Sequence, residues 1–201
     1  MIAIIDYDAG NIASVKKAFE YLGKQVILTR EPREILSANH VVLPGVGAYA
    51  DCMNKLNTYH LVEPIHEVVR QQIPFLGICL GLQLMFDESE ENGPVKGLSL
   101  VPGNIIRIPN TDGLKIPHIG WNSLKIKEGT RLFQGIDSEA YVYFVHSYYL
   151  KAKDENIVAA TTEYGAHIHA AIEKDNLFAC QFHPEKSGEV GLQILKNFAS
   201  I

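Results

Sequence analysis

Residues Gly77-Ile78-Cys79-Leu80-Gly81 set a thiol between two glycines, each two places away. An apolar run of strand type, Phe75-Leu76, precedes them behind Pro74, and apolar positions at helical spacing, Leu82, Met85 and Phe86, follow. Strand, sharp corner and helix make a nucleophile elbow, in which small flanking residues let the backbone close around the nucleophile. A cysteine at such a corner is exposed at the carboxyl edge of a sheet, lies at a helix N-terminus that favours thiolate, and has the Leu80 N–H beside it as an oxyanion donor. Plain tight turns also carry glycines at this spacing, and most cysteines in apolar runs are simply buried. Residues elsewhere must decide. The strand Leu177 to Phe182 delivers His183-Pro184-Glu185. Proline at 184 disfavours a helical conformation at His183, and Glu185 can accept a hydrogen bond from the ring nitrogen that faces away from the sulfur. Thiol, imidazole and carboxylate are the parts of an acyl-transfer site.

Those groups meet only if the elements bring them together. Ile2 to Asp6 reads as a buried strand, Asn11 as the cap of a helix with Ile12, Val15, Phe19 and Leu22 on one face, Gln25 to Leu28 as a second strand, and His40 to Leu43 as a third, with a short helical piece at Glu34 to Leu36. Strands alternating with helices imply a central, mostly parallel sheet flanked by helices, with ligands beyond the carboxyl ends of its strands. The third strand runs into Pro44-Gly45-Val46-Gly47, where a backbone donor at Val46 or Gly47 would join Leu80 in an oxyanion hole. Ala50 to Gln72 reads as helical with a break or kink at Pro64, and His60 and His66 as surface residues. The acidic run Asp87 to Glu91, closing at Asn92-Gly93, reads as a solvated helix end. From Leu98 to about Tyr149 the pattern changes to short strands and turns, which should add antiparallel strands to the sheet. Pro117 to Asn122, with the only tryptophan, and Tyr141 to Tyr149 read as half-buried aromatic strands. A helix starting at Ser187 or Gly188 closes the chain, with Val190, Ile194, Leu195 and Phe198 inward.

At 201 residues and 47% hydrophobic, the chain has material for one α/β domain over residues 1–201. The apolar start lacks a basic flank and meets Asp6 at once, so it reads as a strand and not a signal peptide, and no apolar run reaches the roughly 20 residues that cross a bilayer. A cytoplasmic protein without membrane association is expected. Three cysteines at wide spacing suit free thiols in a reducing compartment. A net charge of −5 without a basic stripe argues against nucleic acid. His167 and His169 share a strand face but lack a third ligand, so no metal and no cofactor are expected.

Gly77-Ile78-Cys79-Leu80-Gly81-Leu82-Gln83 with His183-Pro184-Glu185 resembles the paired signatures of the class I (triad) glutamine amidotransferases, and the resemblance covers the whole chain. Within that family, Pro44-Gly45-Val46-Gly47, Pro117 to Asn122 and Tyr143 to Tyr148 are similar to the glutaminase subunits of imidazole glycerol-phosphate synthase. Anthranilate-synthase glutaminases usually carry a Pro-Gly-Pro-Gly turn and pyridoxal-phosphate glutaminases a Pro-Gly-Gly-Glu turn at the same place. The resemblance implies the single-domain class I amidotransferase fold and hydrolysis of L-glutamine to glutamate and ammonia, with Cys79 as nucleophile, His183 as base and acid, and Glu185 orienting the ring. It further implies that Gln83, Glu91, His146, Ser147 and Tyr148 hold the glutamine backbone groups. It implies a heterodimer with a (β/α)₈-barrel cyclase that uses the ammonia to form imidazole glycerol phosphate and AICAR in histidine biosynthesis. Turnover is then weak without the cyclase, with a peptide flip within Pro44 to Gly47 as the switch. Two rivals differ in class: a stand-alone cysteine hydrolase acting on peptides, and a regulatory subunit that keeps the fold without the chemistry.

Overall fold

The computed structural model describes residues 1–8 and 10–201. In chain order its elements are β1 (Ile2–Ile5), α1 (Ile12–Tyr21), β2 (Val26–Thr29), α2 (Pro32–Leu36), β3 (His40–Gly45), α3 (Tyr49–Thr58), α4 (Val62–Arg70), β4 (Phe75–Cys79) and α5 (Leu80–Leu84). There follow β5 (Glu88–Ser89), β6 (Val95–Lys96), β7 (Gly103–Arg107), β8 (His118–Ser123), β9 (Lys125–Ile126), β10 (Tyr141–His146), β11 (Tyr148–Ala152), β12 (Val158–Glu163), β13 (His167–Lys174), β14 (Leu177–Cys180) and α6 (Gly188–Phe198).

The strands that position the site run parallel in the order β2-β1-β3-β4-β14. Each is apolar on both faces, as a strand covered by helices on both sides must be. Along β1 the alternation is direct: Ala3 and Ile5 pack into the core shared with α2, α3 and α4, while Ile2 and Ile4 pack into the core shared with α1 and α6. In the second core, Phe198 of α6 meets Phe19 of α1 at 6.4 Å and Phe178 of β14 at 5.9 Å between ring centroids. Beyond β14 the sheet continues as β13-β11-β7-β5-β6, largely antiparallel, with β12 and β9 attached to β13. This is the antiparallel extension that the change of pattern after Leu98 implies. A separate ribbon pairs β8 with β10. None of the described helices is long and apolar enough to cross a membrane.

Three local expectations need correction. The helical stretch after Ala50 breaks at His60, whose φ is +53°, and not at Pro64. Pro64 falls in the first turn of α4, where its missing N–H would have had no partner in any case. Asn11 does not cap α1; it takes a left-handed conformation with φ 69° and makes no side-chain cap bond. The acidic run is not a solvated helix end. The carboxylates of Asp87, Glu90 and Glu91 accept the backbone N–H groups of Gly103, Arg107 and Tyr49 respectively, so these acids are used to tie loops to strands.

Candidate active site

β4 ends on Cys79, which has φ 54° and ψ −110°, and α5 begins with the next residue. A non-glycine residue held in such a conformation costs of order 1–3 kcal/mol, so the surrounding packing must impose it. The two glycines show how. A Cβ on Gly81 would lie 1.8 Å from the Leu43 carbonyl oxygen, and one on Gly77 would lie 2.7 Å from Met85 Sδ and 2.8 Å from the Gly81 oxygen. Strand and helix therefore meet at a separation that no side chain fits, and the corner between them falls on the thiol.

Both neighbours of β4 contribute to the site. On one side β3 pairs Gly45 with Cys79, so the turn Pro44 to Gly47 leaves the sheet alongside the sulfur. Tyr7 donates its hydroxyl to the Pro44 carbonyl at 2.7 Å, and the Cys52 thiol donates to the Val46 carbonyl at 3.6 Å. Gly47 takes φ +101°. The Val46–Gly47 peptide thus has its carbonyl turned toward α3 and its N–H directed the opposite way. On the other side β14 pairs Cys180 with Ile78, and the chain leaving it reaches His183.

His183 is held in extended conformation ahead of Pro184, donates its backbone N–H to Tyr143 at 2.9 Å, and has its carbonyl bonded by the Ser187 hydroxyl at 2.6 Å. Its Nδ1 lies 2.7 Å from Glu185 Oε1, and both side chains are buried. A carboxylate can only accept, so Nδ1 carries the proton and Nε2 is the basic nitrogen. Asn11, from the start of α1, donates its amide to the same Glu185 oxygen. Nε2 of His183 has no hydrogen-bond partner among the described residues and lies within interacting range of the Cys79 sulfur. Burial alone would push this imidazolium down, but the adjacent Cys79 and Glu185 outweigh it and raise the pKa to about 10. At neutral pH the ring is therefore a cation beside the sulfur.

Cys79 and His183 open into a cavity of about 290 Å³. Val46, Gly47, Leu80, Gln83, Glu91 and the segment His146-Ser147-Tyr148 line it, joined by Pro117 and Val145, which lie in the two segments that carry the resemblance but were not among the expected site residues. Glu185 does not reach the cavity and sits behind His183. Glu91 spends one carboxylate oxygen on the Tyr49 N–H, at the start of α3. His146 spends both ring nitrogens within the protein: Nδ1 lies 2.9 Å from the Tyr148 carbonyl and Nε2 lies 3.0 Å from His118 Nδ1. Since a carbonyl only accepts, His146 carries its proton on Nδ1 and takes one from His118 on Nε2. Burial lowers these two to about 3 and about 4, so both rings are neutral. The imidazole of His146 thus shapes the Ser147-Tyr148 backbone and has no free nitrogen for a ligand.

The other histidine pair does not converge on one point. His169 accepts the Ala152 N–H at 3.1 Å, while His167 pairs with Glu163. All three cysteines are free and buried.

The profile of the family described as Glutamine amidotransferase class-I matches residues 3–201, and the chain belongs to that family. The fold agrees with it: the chain of "Structure of PurLQS from Thermotoga maritima" superimposes with a TM-score of 0.74 at 17% identity, over 99% of this chain and 97% of that one. The glutaminase domain of Trypanosoma brucei CTPS with bound acivicin gives a TM-score of 0.68 at 18% identity, over 99% and 93%. Within the family, the chain is 50% identical to imidazole glycerol phosphate synthase subunit HisH of Syntrophotalea carbinolica, covering 100% of both. To the subunit of that name from Methanocaldococcus jannaschii it is 47% identical, again over 100% of both.

Proposed function

We propose that residues 1–201 act as one amidotransferase domain, the glutaminase subunit of imidazole glycerol phosphate synthase, with Cys79 as its nucleophile. L-Glutamine enters the cavity with its side-chain amide against the sulfur. The Cys79 thiolate attacks the amide carbon, and the oxyanion is held by the Leu80 N–H and by a donor from Val46 or Gly47, each worth roughly 10²–10³ in rate. His183 Nε2 gives its proton to the leaving nitrogen, ammonia departs, and a thioester remains. The imidazole, now neutral, takes a proton from water, whose oxygen attacks the thioester; glutamate leaves and the ion pair reforms. Glu185 keeps the ring in the right tautomer and turned toward the sulfur throughout. Gln83, Glu91 and the Ser147-Tyr148 backbone hold the α-amino and α-carboxylate groups, while His146 supports that backbone from behind. The observation that carries this reading is the thiol at a strained strand-to-helix corner, sharing one cavity with an imidazole that a buried carboxylate orients at 2.7 Å.

Ammonia set free in neutral water becomes ammonium and is no longer a nucleophile, so its acceptor must be docked to this chain. A (β/α)₈-barrel cyclase fits the ribbon β8–β10. Its outward positions carry Ile119, Trp121 and Tyr141 at 59%, 55% and 60% exposure, and the Ile119 end of the ribbon runs into His146 and Pro117, which line the cavity. Large side chains of this kind left bare on one side of a two-stranded ribbon are the mark of a covered surface. The proposed setting is the cytoplasm, where the three free thiols stay reduced. The test is Cys79→Ala in the complex with the cyclase. Glutamine-dependent product formation should be abolished with ammonia-dependent formation retained; persistence of glutamine-dependent formation overturns the assignment.

A further inference from the structure

Gln181 lies between β14 and His183 with no exposed surface, and its Nε2 donates to the Cys79 sulfur at 3.7 Å. Its Oε1 accepts from Gln83 Nε2 at 2.9 Å, and Gln83 gives its second proton to the Tyr148 carbonyl at 3.0 Å. The orientation of both amides follows from the last contact. A backbone carbonyl cannot donate, so Gln83 must turn its NH₂ group toward Tyr148 and Gln181. Gln181 must then meet Gln83 with its oxygen, which aims its own NH₂ group at the sulfur.

The sulfur needs such a donor. Cys79 is only 6% exposed, so water solvates a thiolate there poorly, and α5 is a single five-residue turn and a half whose dipole is small. The other polar groups facing the sulfur are His183 with Glu185 behind it, Cys180 on β14, Tyr7 beyond β1, and the Val145 carbonyl at 4.0 Å. Of these, His183 alone favours the anion, and it gives up its proton during turnover. The amide of Gln181 stays a donor in every state of the cycle.

We propose that Gln181 is a catalytic residue of this site: its amide holds the Cys79 sulfur as thiolate and ties it, through Gln83, to the cavity wall at Tyr148. The proposal builds on the glutaminase reading for its purpose, but the contact itself can be tested without glutamine. The experiment follows alkylation of Cys79 by iodoacetamide across pH on the full chain, with the modified residue located by mass spectrometry of its peptides. Gln181→Met keeps the length and removes both bonds. Gln181→Glu keeps the acceptor for Gln83 and replaces the donor to sulfur with a carboxylate. In each, the alkylation rate at pH 7 should fall about tenfold, and the midpoint of the profile should rise by about one in pH. A folded variant of either kind whose profile superimposes on that of the parent overturns the proposal; should Gln181→Met not fold, Gln181→Glu decides. A parent chain that fails to hydrolyse glutamine even in complex with the cyclase, while its Gln181 variants show the shift, would refute the glutaminase reading and leave the role of Gln181 standing.

Discussion

Replacing Glu185 by glutamine isolates the electrostatic part of the site. The side chain keeps its shape, and its remaining oxygen can still accept from His183 Nδ1 and from Asn11, but the negative charge is gone. In the parent, the pair sits 2.7 Å apart with both side chains buried, so water screens it little. A hydrogen bond to a charged group in such surroundings is worth about 1.5–3 kcal/mol, which is about one to two powers of ten in the protonation equilibrium. The pKa of His183, about 10 in the parent, should therefore drop to roughly 8–9. The sign for stability follows. A histidine whose folded value is raised contributes stability that is complete below about pH 6.5 and is lost as pH rises through about 10. Glu185→Gln removes part of that contribution at neutral pH. The substitution also puts an NH₂ group where Oε2 has no hydrogen-bond partner among the described residues, and that group will be buried without an acceptor. The assay is the pH dependence of kcat/KM for glutamine hydrolysis in the complex, with the His183 ring followed by NMR. The alkaline limb should move down by about 1–2 in pH, and kcat should fall about ten- to a hundredfold. An unchanged alkaline limb would refute the claim that the carboxylate sets the ring's charge.

Gly81→Ala should cost more than about 3 kcal/mol, because the new Cβ meets a backbone carbonyl at 1.8 Å and strand β3 would have to move; the urea midpoint measures this, and a loss under 1 kcal/mol would refute the packing account. Tyr49→Phe goes the other way. The Tyr49 hydroxyl is buried with no partner among the described residues, so its removal should leave stability unchanged or raise it by about 1 kcal/mol in a thermal melt. Trp121→Ala should shift the stability of the free chain by no more than about 0.5 kcal/mol, yet weaken binding to the cyclase about thirtyfold or more, as read by calorimetric titration. Equal affinity would remove the ribbon from the interface.

The elbow was legible in the sequence because the chemistry itself demands glycines at fixed distances from the thiol, and the steric contacts at Gly77 and Gly81 are the reason for that demand. His183 and Glu185 were legible for a similar reason, since proline fixes the backbone between them. Other features depend on partners far along the chain. Asn11 has the ideal side chain for a helix cap, whose oxygen would accept an N–H of the first turn, but its NH₂ group donates to Glu185, 174 residues along the chain, and its backbone is left-handed, so the side chain is turned to the carboxylate and not onto the helix end. His146 stands within a polar-aromatic run that points to the site, but only the fold shows His118 occupying its second nitrogen. Pro64 looked like a break because proline ends helices in their interiors; the real break sits at His60, and proline is harmless in the first turn of a new helix, where Pro64 is the third residue. Gln181 did leave a signal. It is a polar residue in the otherwise apolar run from Leu177 to Phe182, two places before His183 and hence on the same side of an extended chain.

The strand that bears the nucleophile lies between β3 and β14, the first of which is made before it and the second close to the end of the chain. During synthesis the thiol leaves the ribosome long before the imidazole that activates it, and the sheet cannot close on its outer side until β14 inserts. On the proposed mechanism, a shortened polypeptide lacking that final strand and the histidine beyond it has a thiol with no base beside it and cannot hydrolyse glutamine.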